Sequence, residues 1–336
     1  MTILLIAAAL LTAFALWFLF EKSRRKTHPV TGGLQAHITL PHAAEFELYG
    51  NAFSHCSRKT RIVMAELGIP YTHKPIDLIE TGSYETLSPE YLKINPSGLI
   101  PTLVHNGHPV YESDDILAYA AAHASPGAAK LVPDDPAARA RMQTWIDFCN
   151  LSSADPTGGM ERRMGSCVPP LTLPLFITAI RAIPLHRILF GLLFHPDKKR
   201  PVFFSAAKLL GLKRMLAQKP LQQMIGAGRR HMATHLAHLD RALNETDGPW
   251  ILGQQFTLAD ITLACVLLRI DETGFLDGFI AQGRLDAVRA YYDRLRARPS
   301  WQVAIRNITH PIIEQAVADL KHIRETDPDI ERLLTS

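Results

Sequence analysis

The sequence of 336 residues has few cysteines and little net charge. Its four cysteines form no CxxC pair and have no metal-ligand spacing with histidine: Cys56, Cys149, Cys167 and Cys265. This pattern predicts neither a disulfide framework nor a metal centre, and indicates reduced thiols in a cytosolic compartment. The net charge of +4 argues against nucleic-acid binding. A content of 47% hydrophobic and 20% charged residues is typical of a folded, globular protein.

Charge is also absent from residues 3–20, an apolar run in which Thr12 is the only polar residue. This length is near the lower limit for a helix that crosses a bilayer, roughly 17–25 residues. No basic residue precedes the run, whereas four lie between residues 22 and 26. By the positive-inside tendency these residues stay in the cytoplasm. We therefore predict a single-pass membrane anchor with the remaining chain facing the cytoplasm; a targeting peptide is the alternative.

Beyond the anchor, residues 21–43 have the composition of a linker. Residues 44–126 then carry short apolar alternations and helically spaced apolar residues that predict the order β-α-β-α-β-β-α. Asn106-Gly107 is a strong signal for the hairpin in this order. Residues 133–310 carry helical spacing, and residues 311–336 are expected to form a helical tail.

A proline, Pro101, stands at the opening of the third predicted strand. Proline cannot donate a hydrogen bond to a sheet, so we expect an edge, a bulge or a cis bond there. After the hairpin, Glu112 and Ser113 stand at the start of a helix. This arrangement resembles the glutathione-binding half of the glutathione S-transferase family. The resemblance implies a thioredoxin-like domain, a cis Ile100–Pro101 bond, and glutathione as co-substrate.

The resemblance also implies roles for individual residues. The backbone of Ile100 would bind the cysteinyl part of glutathione, and Pro101 would shape the backbone beside it. Glu112 and Ser113 would bind the γ-glutamyl group, with the helix start contributing an N–H to its carboxylate. A plain helix cap is the alternative role of Ser113.

The turn before the first helix of this domain reads Ser-His-Cys-Ser at residues 54–57, followed by a basic run that ends at Arg61. It resembles the serine-type motif of the family, as in the zeta and theta classes, and so implies that Ser54 is the catalytic hydroxyl. A hydroxyl at a helix N-terminus favours the thiolate of glutathione, which can then attack an electrophile. Helix capping is the alternative role of Ser54. We expect Cys56 to be a buried small hydrophobe, with a mixed disulfide to glutathione as the alternative.

Leu99 departs from the family pattern, in which Lys or Gln often precedes the Ile-Pro or Val-Pro bond. The glycine carboxylate of glutathione must then be held by other residues, and His73 and Lys93 are candidates.

The helical region contains a further family signal. Thr257 and Asp260 resemble the N-capping box of the family's C-terminal domain, with Phe256 placed as a hydrophobic staple. The resemblance therefore implies an all-helical second domain. Members of the family usually dimerise, so a homodimer is an expectation, although an insertion could alter the interface.

That insertion spans about residues 160–230, which have no counterpart in a minimal member of the family. It has thirteen Lys and Arg against two acids, a net charge of +11. Two interior arginines, Arg181 and Arg187, make a second membrane span unfavourable. Basic amphipathic helices on an anionic leaflet are one prediction, and a packed insertion with a solvated basic face is the other. A long insertion here also resembles the membrane-attached ganglioside-induced differentiation-associated branch, which has weak or absent conjugating activity.

The leading hypothesis is a membrane-anchored enzyme that uses Ser54 to activate glutathione for attack on a hydrophobic small-molecule electrophile, without a metal. One alternative is a non-catalytic protein of the same fold that binds membranes or partners, which Leu99 and the insertion favour. The other is a glutathione-dependent isomerase or lyase, which the zeta-like turn favours.

Overall fold

The computed structural model describes residues 1–151 and 155–335. Its apolar N-terminus forms one helix, α1 (Thr2–Arg24), and none of the 23 residues is buried. This helix is long and apolar enough to cross a membrane, a property that anchors and signal sequences share. The stretch Gly165–Ala182 also meets these criteria, but 72% of it is buried inside the protein, as expected of a core helix.

A mixed five-stranded sheet follows, in the strand order β1-β5-β4-β2-β3. Strands β2 and β3 are parallel, and the other neighbouring pairs are antiparallel. The strands are β1 (Gly33–Leu34), β2 (Phe46–Gly50), β3 (Thr72–Pro75), β4 (Thr102–His105) and β5 (His108–Tyr111). The helices between and after them are α2 (His55–Glu66), α3 (Pro89–Ile94) and α4 (Ser113–Ala122).

From β2 to α4 the elements follow the order that the sequence predicts. Asn106 and Gly107 have φ values of 49° and 83°, as the tight hairpin between β4 and β5 requires. Within the predicted linker, Gly33 and Leu34 pair with Tyr111 and Val110. Strand β1 therefore covers the outer edge of β5, whose backbone groups would otherwise be unpaired.

The long regular elements of the second domain, in its described part, are helices. Its helices are α5 (Pro136–Cys149), α6 (Val168–Ala179), α7 (Leu185–Phe194), α8 (Lys199–Leu216), α9 (Lys219–Glu245), α10 (Leu258–Glu272), α11 (Leu276–Ile280), α12 (Asp286–Arg296) and α13 (Pro299–Trp301), with α14 (Pro311–Thr326) and α15 (Pro328–Thr335) forming the tail. Helix α10 lies at the centre, with every residue from Leu258 to Ile270 buried. It begins with the expected capping box of Thr257 and Asp260. The predicted architecture, a thioredoxin-like domain followed by a helical domain, is confirmed.

Part of the insertion packs into the core, and part of it lies at the surface. In α6, Leu171, Leu175 and Ile177 have no exposed surface, so this helix packs into the core as one of the two predictions states. Helices α7 and α8 instead leave an apolar face uncovered, with Leu189 and Leu209 among its exposed residues.

Candidate functional site

A single cavity brings together the residues around the predicted cis proline. It has a volume of about 320 Å³, and its lining includes Ile100, Pro101, Glu112 and Ser113. The Ile100–Pro101 bond is cis. The opposite wall comes from the start of α2 and from the residues after α5: Cys56, Lys59, Asn150 and Leu151. We call this the Pro101 cavity.

The loop before Pro101 is held by two side chains of the neighbouring helix region. Tyr91 donates its hydroxyl to the Leu99 carbonyl over 2.5 Å, and the Asn95 amide donates to the same oxygen over 3.0 Å. The backbone N–H and C=O of Ile100 make no hydrogen bond within the described part of the chain. Both groups are therefore free to pair with the peptide unit of a ligand.

The start of α4 forms another part of the cavity. Glu112 has a φ of 62° and occupies the N-cap position, so Ser113 is the first helical residue. The capping alternative for Ser113 is therefore wrong, since Glu112 takes that place. The first N–H groups of a helix lack intrahelical partners, and together with the helix dipole they attract an anion. Ser113 thus offers both a hydroxyl and a helix start to a carboxylate.

Negative charge dominates this side of the cavity. Glu112, Asp114 and Asp115 all line it, with Lys59 as the one basic residue of the lining. Burial raises the pKa of Glu112, and the charges of Asp115 and Asp114 raise it further. Asp114 pairs with Lys59 over 2.6 Å, whereas Glu112 and Asp115 have no cation partner among the described residues. This arrangement fits a ligand that presents an ammonium group.

Cys56 and Lys59 reach the cavity from the first turns of α2. Cys56 is partly exposed, whereas the other three cysteines are buried. Lys59 is 2% exposed and donates to Asp114 and Asn150. Burial opposes the charge of Lys59, but the charges of Cys56 and Asp114 outweigh it and raise the pKa of Lys59. The expectation that Cys56 is a buried hydrophobe is wrong. Its spacing of three residues from Lys59 places both on one helix face, a signal present in the sequence.

Ser54 has the geometry of a helix cap. Its Oγ accepts the backbone N–H of Ser57 over 3.3 Å, which leaves its own O–H free to donate. Ser54 is partly exposed and is not among the residues that line the Pro101 cavity. The structure thus brings Ile100, Pro101, Glu112 and Ser113 together with Cys56, and the catalytic role of Ser54 stays a prediction.

The two candidates for holding a glycine carboxylate lie elsewhere. His73 lines a separate groove beside Ile69 and Tyr71, and Lys93 lies in the last turn of α3. Neither is among the residues that line the Pro101 cavity.

Two family models match the chain. One is described as glutathione S-transferase, N-terminal domain, and matches residues 53–123; the other is the C-terminal domain of the same name and matches residues 216–294. Both matches lie outside α1 and outside most of the insertion.

Several curated proteins are similar to the chain. A tetrachloro-p-hydroquinone reductive dehalogenase from Sphingobium chlorophenolicum is 25% identical over 260 residues, covering 77% of this chain and 95% of that protein. A 2,5-dichlorohydroquinone reductive dechlorinase from Sphingobium indicum is 27% identical, covering 77% and 82%. The crystal structure of the β-etherase LigF from Sphingobium sp. strain SYK-6 shares the fold, with a TM-score of 0.62 at 22% identity over 79% of this chain and 100% of that one.

Proposed function

Because this chain belongs to the glutathione S-transferase superfamily, we propose that it is an enzyme that uses glutathione as co-substrate to attack a hydrophobic electrophile. The observation that carries the proposal is the meeting of Ile100, Glu112, Ser113 and Cys56 in one cavity. An electrophilic aromatic halide or aryl ether is the proposed substrate class, since relatives are named for dehalogenation and ether cleavage.

The Pro101 cavity offers a partner for each polar group at the γ-glutamyl end of glutathione. The free N–H and C=O of Ile100 would pair with the cysteinyl peptide unit. Ser113 and the start of α4 would hold the α-carboxylate, and Glu112 and Asp115 would hold the α-ammonium. Since the pKa of Glu112 is raised, affinity should fall as the pH decreases through that raised value.

The reacting sulfur would then lie beside the N-terminus of α2. The partial positive charge of the helix end, the free O–H of Ser54 and the ammonium of Lys59 all favour a thiolate there. The thiolate attacks the electrophilic carbon, a carbon–sulfur bond forms, and the bond to halogen or ether oxygen breaks. Halide or alkoxide leaves as an anion, so the step needs no redox partner.

The position of Cys56 favours a second, reductive step. A Cys56 thiolate can attack the sulfur of the glutathionyl adduct, so that a disulfide forms while the carbon–sulfur bond breaks and the carbon takes a proton. A second glutathione then releases Cys56 by thiol–disulfide exchange. In sum, two glutathione thiols become one disulfide, and hydrogen replaces the halogen.

Two substitutions separate these roles. With 2,5-dichlorohydroquinone as probe, Cys56→Ser should still consume chlorinated substrate but should accumulate the glutathionyl adduct, detected by mass spectrometry. Ser54→Ala should lower kcat by about tenfold or more while glutathione affinity changes less, because the hydroxyl acts on the thiolate. Ser88→Ala is the matched control, since Ser88 caps α3 over 3.1 Å and does not line the Pro101 cavity.

Calorimetry gives the outcome that would overturn the proposal. If calorimetry detects no heat of binding at millimolar glutathione, the enzymatic proposal is wrong and the non-catalytic alternative remains. If Ser54→Ala loses affinity and turnover equally, Ser54 acts only as a helix cap. If Cys56→Ser leaves the ratio of glutathionyl adduct to dehalogenated product unchanged, Cys56 does not carry out the reductive step.

The enzyme is further proposed to be held at a membrane by α1, with its folded domains in the cytoplasm. The absence of buried residues in α1 and the basic residues that follow it support this arrangement. The exposed leucines of α7 and the net charge of the insertion would add contacts with an anionic leaflet.

A further inference from the structure

Helix α7 of the insertion lies against the C-terminal part of α1, close to the basic residues that follow it. The ring of Phe194 is 6.4 Å from that of Trp17 and 5.7 Å from that of Phe18. The guanidinium of Arg25, one residue beyond α1, lies 5.1 Å from the ring of Phe190. If α1 spans a bilayer, these contacts place α7 at the level of the lipid headgroups.

The outer face of α7 is apolar and uncovered. Four leucines on it are 36–43% exposed, namely Leu185, Leu189, Leu192 and Leu193. An exposed apolar face of this kind marks an interaction surface. Its continuity with the bare surface of α1 indicates acyl chains as its occupant.

A cavity of about 330 Å³ lies between the first turns of α7 and the loop before α3. Its lining contains two arginines, Arg25 and Arg187, together with Ser83, Tyr84, Glu85, Ser88, His186 and Phe190. We call it the Arg187 cavity. It is distinct from the Pro101 cavity and shares no lining residue with it.

The donors of this cavity are only partly used. Arg187 makes one hydrogen bond, from Nη1 to the Gly82 carbonyl over 3.2 Å, within the described residues. Arg25 is bound to Glu21 through Nη2 and to the Leu87 carbonyl through Nη1. Each of these two nitrogens carries a second N–H group that can bind an anion. The one carboxylate of the lining, Glu85, accepts the Asp77 N–H over 2.6 Å. An anion would therefore find two guanidinium groups with open positions.

More positive charge lies at the C-terminal end of α7, where Lys198 Nζ donates to the Leu193 carbonyl over 3.1 Å. Lys198, at the start of α8, has a lowered pKa because of partial burial and then because of the nearby charge of Lys22. Positive charge from α1 and from the insertion is therefore concentrated where the two elements meet.

We propose that the Arg187 cavity binds the phosphate group of an anionic phospholipid, whose acyl chains lie along the leucine face of α7. The proposal rests on the membrane anchoring proposed above, and it is independent of the glutathione chemistry. Such a lipid would orient the folded domains on the bilayer by joining the insertion to the headgroup layer.

The test uses the full-length chain and vesicles of phosphatidylcholine, with or without phosphatidylglycerol. After extraction in mild detergent, native mass spectrometry identifies the lipid that each chain retains. We expect one phosphatidylglycerol to be retained in preference to phosphatidylcholine. Arg187→Gln should lower that preference about fivefold, as the loss of one basic contact at a membrane surface implies. Arg230→Gln, an exposed arginine of α9, removes the same charge and should leave the preference unchanged.

The other outcomes separate the possible failures. Two results would overturn the lipid site but not the anchoring. The chain could float with phosphatidylcholine vesicles and retain both lipids equally. Alternatively, Arg187→Gln could show the same lipid preference as Arg230→Gln. Displacement of the retained lipid by millimolar inorganic phosphate would assign the cavity to a soluble anion and overturn the lipid. A chain that floats with neither vesicle would contradict the anchoring itself.

Discussion

At the scale of the residue, buried charges join α2 to the helical domain. The guanidinium of Arg58 donates to both oxygens of Glu272, over 2.8 and 2.6 Å, and Arg269 lies 3.1 Å from the same carboxylate. Burial alone would raise the pKa of Glu272, but the charges of Arg58 and Arg269 outweigh it and hold the pKa below its usual value. Removing one partner of such a pair leaves a buried charge poorly compensated.

Arg58→Met should therefore lower the free energy of unfolding by about 3 kcal/mol, since it keeps much of the packing and removes the bidentate pair. Urea unfolding at neutral pH measures the change. The control, Arg230→Met in exposed α9, should change stability by less than about 0.5 kcal/mol. Equal stability of the two variants would contradict the role of this pair.

The same pair predicts a pH dependence. A carboxylate whose pKa is lowered by folding stabilises the protein above its unfolded pKa of about 4.3. That contribution is lost as the pH falls through the lower pKa of the folded state. The stability difference between Arg58→Met and the unsubstituted protein should therefore shrink as the pH falls below about 4.

At the scale of the element, the docking of α7 depends on the absence of a side chain at Gly191. A Cβ at this position would lie 2.6 Å from Cζ and Oη of Tyr84. Tyr84 is buried, and its aromatic ring cannot yield as the end of a flexible chain does. The close approach of α7 to the first domain thus requires glycine at position 191, and helical periodicity does not reveal this requirement.

Gly191→Ala should consequently loosen α7, although alanine favours a helix by up to about 1 kcal/mol over glycine. We expect overpacking to cost about 1–3 kcal/mol locally, seen as faster amide hydrogen exchange in α7 with α10 unchanged. Gly278→Ala in α11 is the matched control, because a Cβ there meets no atom within 4 Å. Slower exchange of α7 in Gly191→Ala would show that Tyr84 yields without cost.

At the scale of the whole molecule, α1 and the Pro101 cavity are separate. No residue of α1 lines the Pro101 cavity, and the rings of Trp17 and Phe18 in α1 contact Phe194 of α7. Membrane attachment and glutathione binding should therefore be separable by truncation.

Deletion of residues 1–26 should release the protein from membranes while leaving glutathione affinity within about twofold of the full chain. The full chain should resist extraction by alkaline carbonate. Any residual binding of the truncated protein should come from the basic insertion and should disappear at high salt, because charges at a surface are screened. Release of the full chain from membranes by alkaline carbonate would contradict the prediction that α1 spans the bilayer.

The local features of this protein were readable from its sequence. The order of strands and helices, the Asn106-Gly107 turn and the capping box at Thr257 depend on neighbouring residues, so spacing and turn chemistry predict them. The resemblance carried by Ile100-Pro101 and Glu112-Ser113 predicted four residues that line one cavity. The linker strand β1 was missed because two residues carry no periodicity.

Sequence by itself thus determined the elements, the family resemblance and four of the residues that line the Pro101 cavity, because these follow from local order along the chain. Tertiary structure alone decided that Cys56 and Lys59, rather than His73 or Lys93, enter the Pro101 cavity, since that depends on how α2 meets the loop before Pro101 and the end of α5. It also decided the fate of the insertion, burying α6 and leaving α7 beside α1. Hydrophobic content is similar in both helices, but α7 also carries His186 and Arg187, and the packing partners available to each helix completed the division between core and surface.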